Sequence, residues 1–551
     1  MKEEFKTCDV LVVGGGVAGM MAAIRAAEGG AKVIVAEKAN TIRSGSAMMG
    51  VDHFRSYIPE YHGDFSEFKK ALGKGQDAAS FATKSTEYLK TVFENSALLV
   101  KKWEEWGIPI KYHGKYHFAG HTFPGDDPKM GGWLKISGMN IKPVLTEQSL
   151  NRSVEIVNRV MVFDLLKNKD NKVVGAMALH TRENIMVIFE ANAVILSTGC
   201  VTGLYPNPTR AGYFNTCYPF LHSGDGRIMA YRAGAELADL ELTRRHAGPK
   251  YLIKAGQASW VGVLRDREGN TVGPFLDKPD ARYGDMTVEV NKEIFEEYRN
   301  QGKGPIYMDM SGITDKDYEE MLHYLSNQSG TAFLEHFKQT GVNLRNAAVE
   351  FTTFEHAVSN GIQFNHRGET GVNGLYAAGD ESRGGLGLAA TIGWKTGEHV
   401  AESVRSISSP GISGAESLID DSIRLVKDIR TREVGACWQE AYAVLQQITN
   451  DYCGSVRSQS ILEAGLDFLE KMKIRTRDTL KANDAHELMY CMQALNLMDL
   501  AELLFVAALD RKETRALHKR PDYPLTNPLL TGKKHIIKQK NGTPVTEWRN
   551  V

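Results

Sequence analysis

No two cysteines in this chain stand at CxxC spacing; the six, Cys8, Cys200, Cys217, Cys437, Cys453 and Cys491, are scattered. That scatter excludes a zinc or iron–sulfur centre held by this chain alone, and reduced thiols in a cytosolic protein are the expectation. An excess of one charge is lacking as well. The 66 basic and 67 acidic residues nearly cancel, which gives no sign of a nucleic-acid partner but leaves room for a local basic pocket. No apolar run approaches the roughly 20 residues that cross a bilayer. The charged start, Met1 to Thr7, runs straight into a strand and does not read as a signal peptide. Internal repeats and low-complexity segments are absent. With 42% hydrophobic and 24% charged residues, the composition is that of a globular protein, so a soluble, cytoplasmic chain is expected. Its 551 residues suffice for two or three domains, each with its own core.

What is present begins with Asp9 to Val13, an unbroken apolar run of the kind buried on both faces of a parallel sheet. A glycine turn follows, then an Ala-rich helix from about Val17 to Glu28, closed by Gly29 and Gly30. Lys32 to Ala36 reads as a second parallel strand, completing a βαβ unit. Helical patterning runs from about Ser66 to Trp106, and Gly107 and Pro109 stop it. Val154 to Leu179 reads as strands joined by a turn at Asn168 to Asn171, and Ala193 to Ser197 as another buried strand. Past Ala235 the chain becomes mixed and turn-rich up to about Arg345, as an inserted cap would be. Gly374 to Gly379 regains strand character. From about Ser413 onward the pattern is mostly helical, and its apolar spacing predicts packing onto the body of the protein.

The first turn holds Gly14, Gly16 and Gly19 at GxGxxG spacing. Gly14 permits the tight turn, Gly16 lets backbone approach a pyrophosphate, and Gly19 lets helix and strand pack closely. The helix N-terminus offers free N–H groups and a positive dipole end to phosphate. Glu37 ends the second strand, 18 residues past Gly19, where it accepts from a ribose hydroxyl. Gly385, Gly387 and Ala390 form a looser GxGxxA, but they follow GLYAAGD, where Asp380 ends a short strand. Such a late segment returns the chain to FAD in two-part flavoproteins. The next helix, from about Leu388, then aims its N-terminus at the flavin ring and favours the charge of the reduced form. No strong NAD(P)H fingerprint is present.

An ordered set of motifs goes beyond a generic dinucleotide fold: VVGGGVAGM, AVILSTGC, GDGRIMAYRAGAELADLE, FEHAVSNGIQF and GLYAAGDES. Together they resemble the flavoprotein subunits of the fumarate reductase, succinate dehydrogenase and L-aspartate oxidase superfamily. WEEWGIPI, WLKISGMNIKP, GPIYMDM, HELMYCMQALN and RKETRALHKRPDYP are most similar to the alpha (flavoprotein) subunit of adenylylsulfate reductase, and the likeness spans nearly the whole chain. It implies an α/β fold: a two-part FAD-binding Rossmann-like domain over 1–235 and 346–410, an inserted α+β cap domain over 236–345, and a C-terminal helical domain over 411–551. It also implies an FAD contact set made of Gly14, Gly16, Val17, Ala18, Gly19, Glu37, Lys38, Ser44, Gly45, Ser46, Gly50, Val160, Thr198, Gly199, Asp225, Gly379, Asp380, Leu386, Leu388 and Ala389. Membrane-linked members attach FAD to a histidine in a segment similar to Arg43 to Gly50. Here that position is Gly45, so the resemblance implies non-covalent FAD.

On the substrate side, reduction of an activated double bond needs cations to clamp carboxylates and a proton donor near the receiving carbon. His246, five residues after Glu241, matches the family's substrate histidine, with Arg244 and Arg245 beside it; His356 matches the other. The proton-donating arginine of fumarate reductases aligns with Gly284, and neither Arg282 nor Arg265 is a clean match. Arg55 stands where adenylylsulfate reductases have asparagine, and Met139 where they have glutamate. Arg55 suits an anionic substrate group. Trp133 suits a flavin cover or the core, while Arg383, Arg515 and Arg520 suit structural pairs better than anion contacts. The reading is an FAD-dependent oxidoreductase subunit exchanging two electrons with a small anionic substrate, with an iron–sulfur partner carrying electrons onward. Adenylylsulfate/sulfite chemistry is the first substrate expectation and a fumarate-like enoate the second. A non-catalytic electron-transfer module and an oxygen-using amino-acid oxidase are the competing classes. No metal ligands and no membrane insertion are expected.

Overall fold

The structure of the protein, a computed structural model, describes residues 1–72, 84–120, 125–206, 219, 221–250, 259–273, 276–284, 294–327, 331–354, 356–382, 384–407 and 411–551. Strand β1 (Lys2–Val13) is half exposed at first and fully buried over Val10–Val13, where the apolar run sits. The Ala-rich helix Val17–Glu28 follows, then β2 (Val33–Glu37), which pairs parallel with β1 in the register Val10 opposite Val33. A short hairpin, β3 (His53–Arg55) with β4 (Trp133–Lys135), stands apart from the main sheet. The main sheet continues with β5 (Glu155–Asn158), β6 (Val160–Lys167), β7 (Val173–His180) and β8 (Ile185–Leu196). Its order is β5-β2-β1-β8-β7-β6, parallel through β8 and antiparallel beyond.

A second core lies in the middle of the chain, around Trp260, Met308, Met321, Leu325, Phe333 and Phe351. After the short strand β9 (Leu237–Ala238), the strands β10 (Ala247–Pro249), β11 (Val263–Arg265), β12 (Ile306–Asp309) and β13 (Val349–Thr353) form an antiparallel sheet in the order β10-β13-β12-β11. This sheet draws in β13, beyond residue 345. The chain then returns to the main sheet as β14 (Leu375–Ala377), parallel to the end of β8. Helix Gly385–Val404 packs against Val17–Glu28 at very short range. A Cβ on Gly393 would lie 2.3 Å from the carbonyl of Ala18, and one on Gly397 2.3 Å from that of Ala22, so only glycine allows this approach.

Two expectations change in the last quarter. Helices Glu416–Thr431, Trp438–Tyr452, Gln459–Thr479 and Ala485–Asp510 are as expected, but the chain ends in a hairpin, β15 (Lys533–Lys540) and β16 (Thr543–Asn550). The turn between them is Asn541–Gly542, both at positive φ, the pairing that two-residue hairpins select. Ile536 and Ile537 then pair with β9. Helix Ala485–Asp510 is also long and apolar enough to cross a membrane, contrary to the sequence expectation that no run is. Most of its apolar residues are buried inside the protein, on every side of the helix, which accounts for its composition.

Candidate functional site

The carboxyl ends of β1, β8 and β14 lie side by side, and in an open α/β sheet that edge is where ligands bind. At β1 the turn is shaped by its glycines. Gly14 has φ +100°, donates to Ala36 O at 2.9 Å, and a Cβ there would lie 2.6 Å from the carbonyl of Ser197. A Cβ on Gly19 would fall 2.0 Å from the carbonyl of Gly14. Gly16 is different: its nearest obstacle is 4.0 Å away, and it caps the Val17–Glu28 helix with no side-chain bond. A phosphate therefore finds open space and unsatisfied N–H groups there.

Glu37 is buried, and its carboxylate accepts from Gly15 N at 2.6 Å and Ala39 N at 2.7 Å. A carboxylate has lone pairs beyond those two bonds, so a ribose hydroxyl can still donate to it. Lys38 donates to Leu221 O, to Ser223 Oγ and to Asp225 Oδ2 at 3.1 Å, which joins two of the expected contact residues. Gly45, at φ +73°, lays the 44–46 segment over the turn, with its missing Cβ 3.1 Å from Gly16 Cα; Ser44 Oγ bonds Gly15 O at 3.4 Å, and Ser46 is half-buried beside it. Gly50 lies against Met139 and the carbonyl of Asn327. Val160 is buried at the start of β6, next to Arg159, whose N–H bonds Ala39 O.

At the other end, Thr198 and Gly199 follow β8, and Gly379 packs on Ala18 with φ +78°. Asp380 Oδ1 accepts from the N–H groups of Gly384 and Gly385 and so opens the Gly385–Val404 helix. Leu388 and Ala389 are buried in its first turns, and Leu386 is partly so. Lys142 joins the site without having been expected from the sequence. Wholly buried, it donates to Gly15 O, and burial pushes its amine down to about 8 while Glu37 pulls the other way. The signal for it was a lysine in an otherwise packed helix start, which spacing alone does not reveal.

The substrate-side residues divide. The backbone of Arg244 and His246 pairs antiparallel with that of Ala357 and Phe354, Arg244 N to Ala357 O at 2.9 Å and Phe354 N to His246 O at 2.7 Å, so both expected histidines share one locality. Arg244 Nε lies 2.6 Å from His246 Nε2. His356 is buried between Thr243 Oγ1 and Ser455 Oγ, each 3.1 Å away, with the Tyr205 ring at 4.9 Å. Burial, and then the Arg245 and Arg457 charges, push its imidazole well below the ordinary range. Arg55 is buried with its guanidinium 4.2 Å over the Trp133 ring, and its carbonyl meets the face of Gly387 where a Cβ would be. Arg282, by contrast, is 68% exposed in its side chain and forks onto Asp280. Arg265 pairs with Asp309, Arg515 with Glu513 and Arg520 with Asp522, all structural roles; Arg383 lies outside the described residues. Among the described residues no group of three His, Cys, Asp or Glu side chains gathers to hold a metal ion.

A parallel sheet edge with a glycine turn, an acidic residue and a second helix N-terminus opposite defines a two-part dinucleotide-binding flavoprotein. The chain belongs to the family of the FAD binding domain, whose model matches residues 9–393, and residues 442–551 match the fumarate reductase flavoprotein C-terminal model. FAD is its cofactor, and the open face over Gly16 fits the pyrophosphate. A fumarate reductase (CoM/CoB) subunit of Methanothermobacter marburgensis is 26% identical over 565 residues, covering 96% of each chain. L-aspartate oxidase of Vibrio cholerae is 24% identical over 94% of this chain and 96% of its own. In fold, the chain is similar to adenylylsulfate reductase of Archaeoglobus fulgidus, with a TM-score of 0.82 at 22% identity over 100% of this chain and 96% of that one. The E. coli quinol fumarate reductase chain also gives 0.82, at 21% identity over 100% and 97%.

Proposed function

We propose that this protein is the flavoprotein subunit of an oxidoreductase that exchanges two electrons with a small anionic substrate and passes them to or from an iron–sulfur partner. The observation that carries this reading is Arg55: a buried cation, stacked on Trp133, whose strand abuts the first turn of the Gly385–Val404 helix. FAD supplies the exchange of an electron pair. Gly45, having no side chain, leaves FAD non-covalent, and the contact set from Gly14 to Ala389 holds it. Arg55, Arg244 and His246 bind and orient the anion, because a guanidinium fork matches carboxylate, phosphate and sulfate alike. His356, held neutral between two hydroxyls, lines the same segment as a donor or acceptor. Arg282 must leave Asp280 before it can contact substrate.

Adenylylsulfate or sulfite is the first substrate class. A fumarate-like enoate is the second, favoured by the name of the Methanothermobacter relative and disfavoured by Gly284 at the expected arginine position. The test is anaerobic photoreduction of the purified protein, followed by separate additions of adenylylsulfate, fumarate, an oxidised iron–sulfur protein and oxygen, with sulfite added to the oxidised form. Reoxidation by one organic or sulfur acceptor, or bleaching by sulfite, is expected. Response to an iron–sulfur protein alone would leave the electron-transfer module in its place, and rapid reoxidation by oxygen alone an oxidase. Replacing Arg244 and His246 should abolish the substrate response and keep FAD bound; loss of FAD instead refutes their assignment.

A further inference from the structure

One buried ion pair joins the two halves of the cofactor site and belongs to none of the expected contacts. Arg227, in the helix Asp225–Ala233, is fully buried, and each guanidinium nitrogen has an acceptor. Nε donates to Asn360 O at 3.0 Å; Nη2 donates to Ser359 O at 3.2 Å and to Asp380 O at 2.6 Å; Nη1 donates to Gly199 O and, at 3.3 Å, to Glu381 Oε2. Glu381 is equally buried, and its other oxygen accepts from both the N–H (2.6 Å) and the hydroxyl of Thr198. The carbonyls so gathered come from the end of β8, from the turn after β14, and from the stretch just past His356.

A buried pair of this kind adds little stability over well-packed apolar groups. A planar fork that fixes several carbonyls at once is, however, an effective positioning device. The charged groups around Glu381 are Arg227 and Asp225 of one helix, with Lys38 paired to Asp225, and Asp380 next in sequence. Burial raises the Glu381 carboxyl most, Arg227 and the Thr198 donors lower it, and Asp225 raises it again.

We infer that the Arg227–Glu381 pair is the positioning and electrostatic element of the flavin site. It aligns Gly199 and Asp380 against FAD, ties them to the segment of His356, and by its charge balance sets the relative affinity for reduced and oxidised FAD. The inference rests on FAD binding alone and is independent of the substrate.

The holoprotein and three variants decide it, with FAD affinity and midpoint potential measured across neutral pH. Glu381→Gln leaves the Arg227 charge unbalanced and raises the ratio of reduced to oxidised affinity by about tenfold, an upward shift of about 30 mV for a two-electron couple. Arg227→Met shifts the potential downward, and more so as pH rises, because a carboxylate without its cation ionises only at higher pH. The double variant returns towards the wild-type potential. Shifts of the same sign in both single variants, or none in either with FAD still bound, overturn the inference. Should Arg227→Met fail to fold, Arg227→Lys keeps the charge and loses the fork. It is expected to weaken FAD binding about tenfold with an unchanged potential; a changed potential there overturns the inference as well.

Discussion

Single residues carry the cofactor turn, and they act mainly by what they lack. Gly19 is the sharpest case: a methyl group would sit 2.0 Å from the Gly14 carbonyl, a contact that only backbone movement can relieve. Gly19→Ala is expected to raise the FAD dissociation constant by more than about tenfold, equivalent to about 1.4 kcal/mol, as read by flavin fluorescence. Unchanged affinity would show that the turn yields without cost. Gly14, Gly16 and Glu37 were legible from spacing because each answers a local requirement of the turn. Lys142 was not, since its reach to Gly15 O depends on a helix more than a hundred residues away. Nor was Arg227, whose acceptors are spread over three remote segments.

At the scale of elements, the join between β9, the end of helix Ala485–Asp510 and the terminal hairpin is held by charge inside the core. Arg511 bonds Asp239, Glu241 and Glu513, all buried. Burial, then the neighbouring Glu241, already raises the Asp239 carboxyl to about 6, with Arg511 opposing. Arg511→Met leaves three carboxylates without their common cation, and a loss of about 3–5 kcal/mol is expected in urea unfolding at neutral pH. The loss should shrink as pH falls and the carboxylates take up protons. A loss independent of pH would mean that packing, not charge, is what Arg511 supplies. The hairpin itself had a readable signal, Asn541–Gly542 between alternating residues, hidden by the helical pattern before it. The cap sheet was harder to read, because its strands are three to five residues long and far apart in sequence.

Taken as a whole, the molecule keeps several histidines neutral by burial. His518 is pushed down to about 2 and His117 to about 4, each by desolvation first and then by nearby cations, and His356 shifts the same way. In the unfolded chain these groups protonate near 6.5, whereas the folded protein refuses the proton. The contribution of these histidines to stability is therefore complete above about pH 6.5 and is lost as pH drops below it, by up to about 1.4 kcal/mol per pH unit for each histidine. Urea midpoints at successive pH values check this; a midpoint that holds or rises between about pH 6.5 and 5 contradicts it. The FAD fingerprint and the βαβ unit were determined by sequence alone, because each is a local pattern within a few tens of residues, and so was the family likeness, because its motifs recur in order along the chain. Tertiary structure decided which groups the buried cations meet: Arg55 with Trp133, Arg227 with Glu381, Arg511 with Asp239. Such partners are brought together by folding from places that spacing along the chain does not connect, and long side chains take whichever partner the packed elements bring within reach.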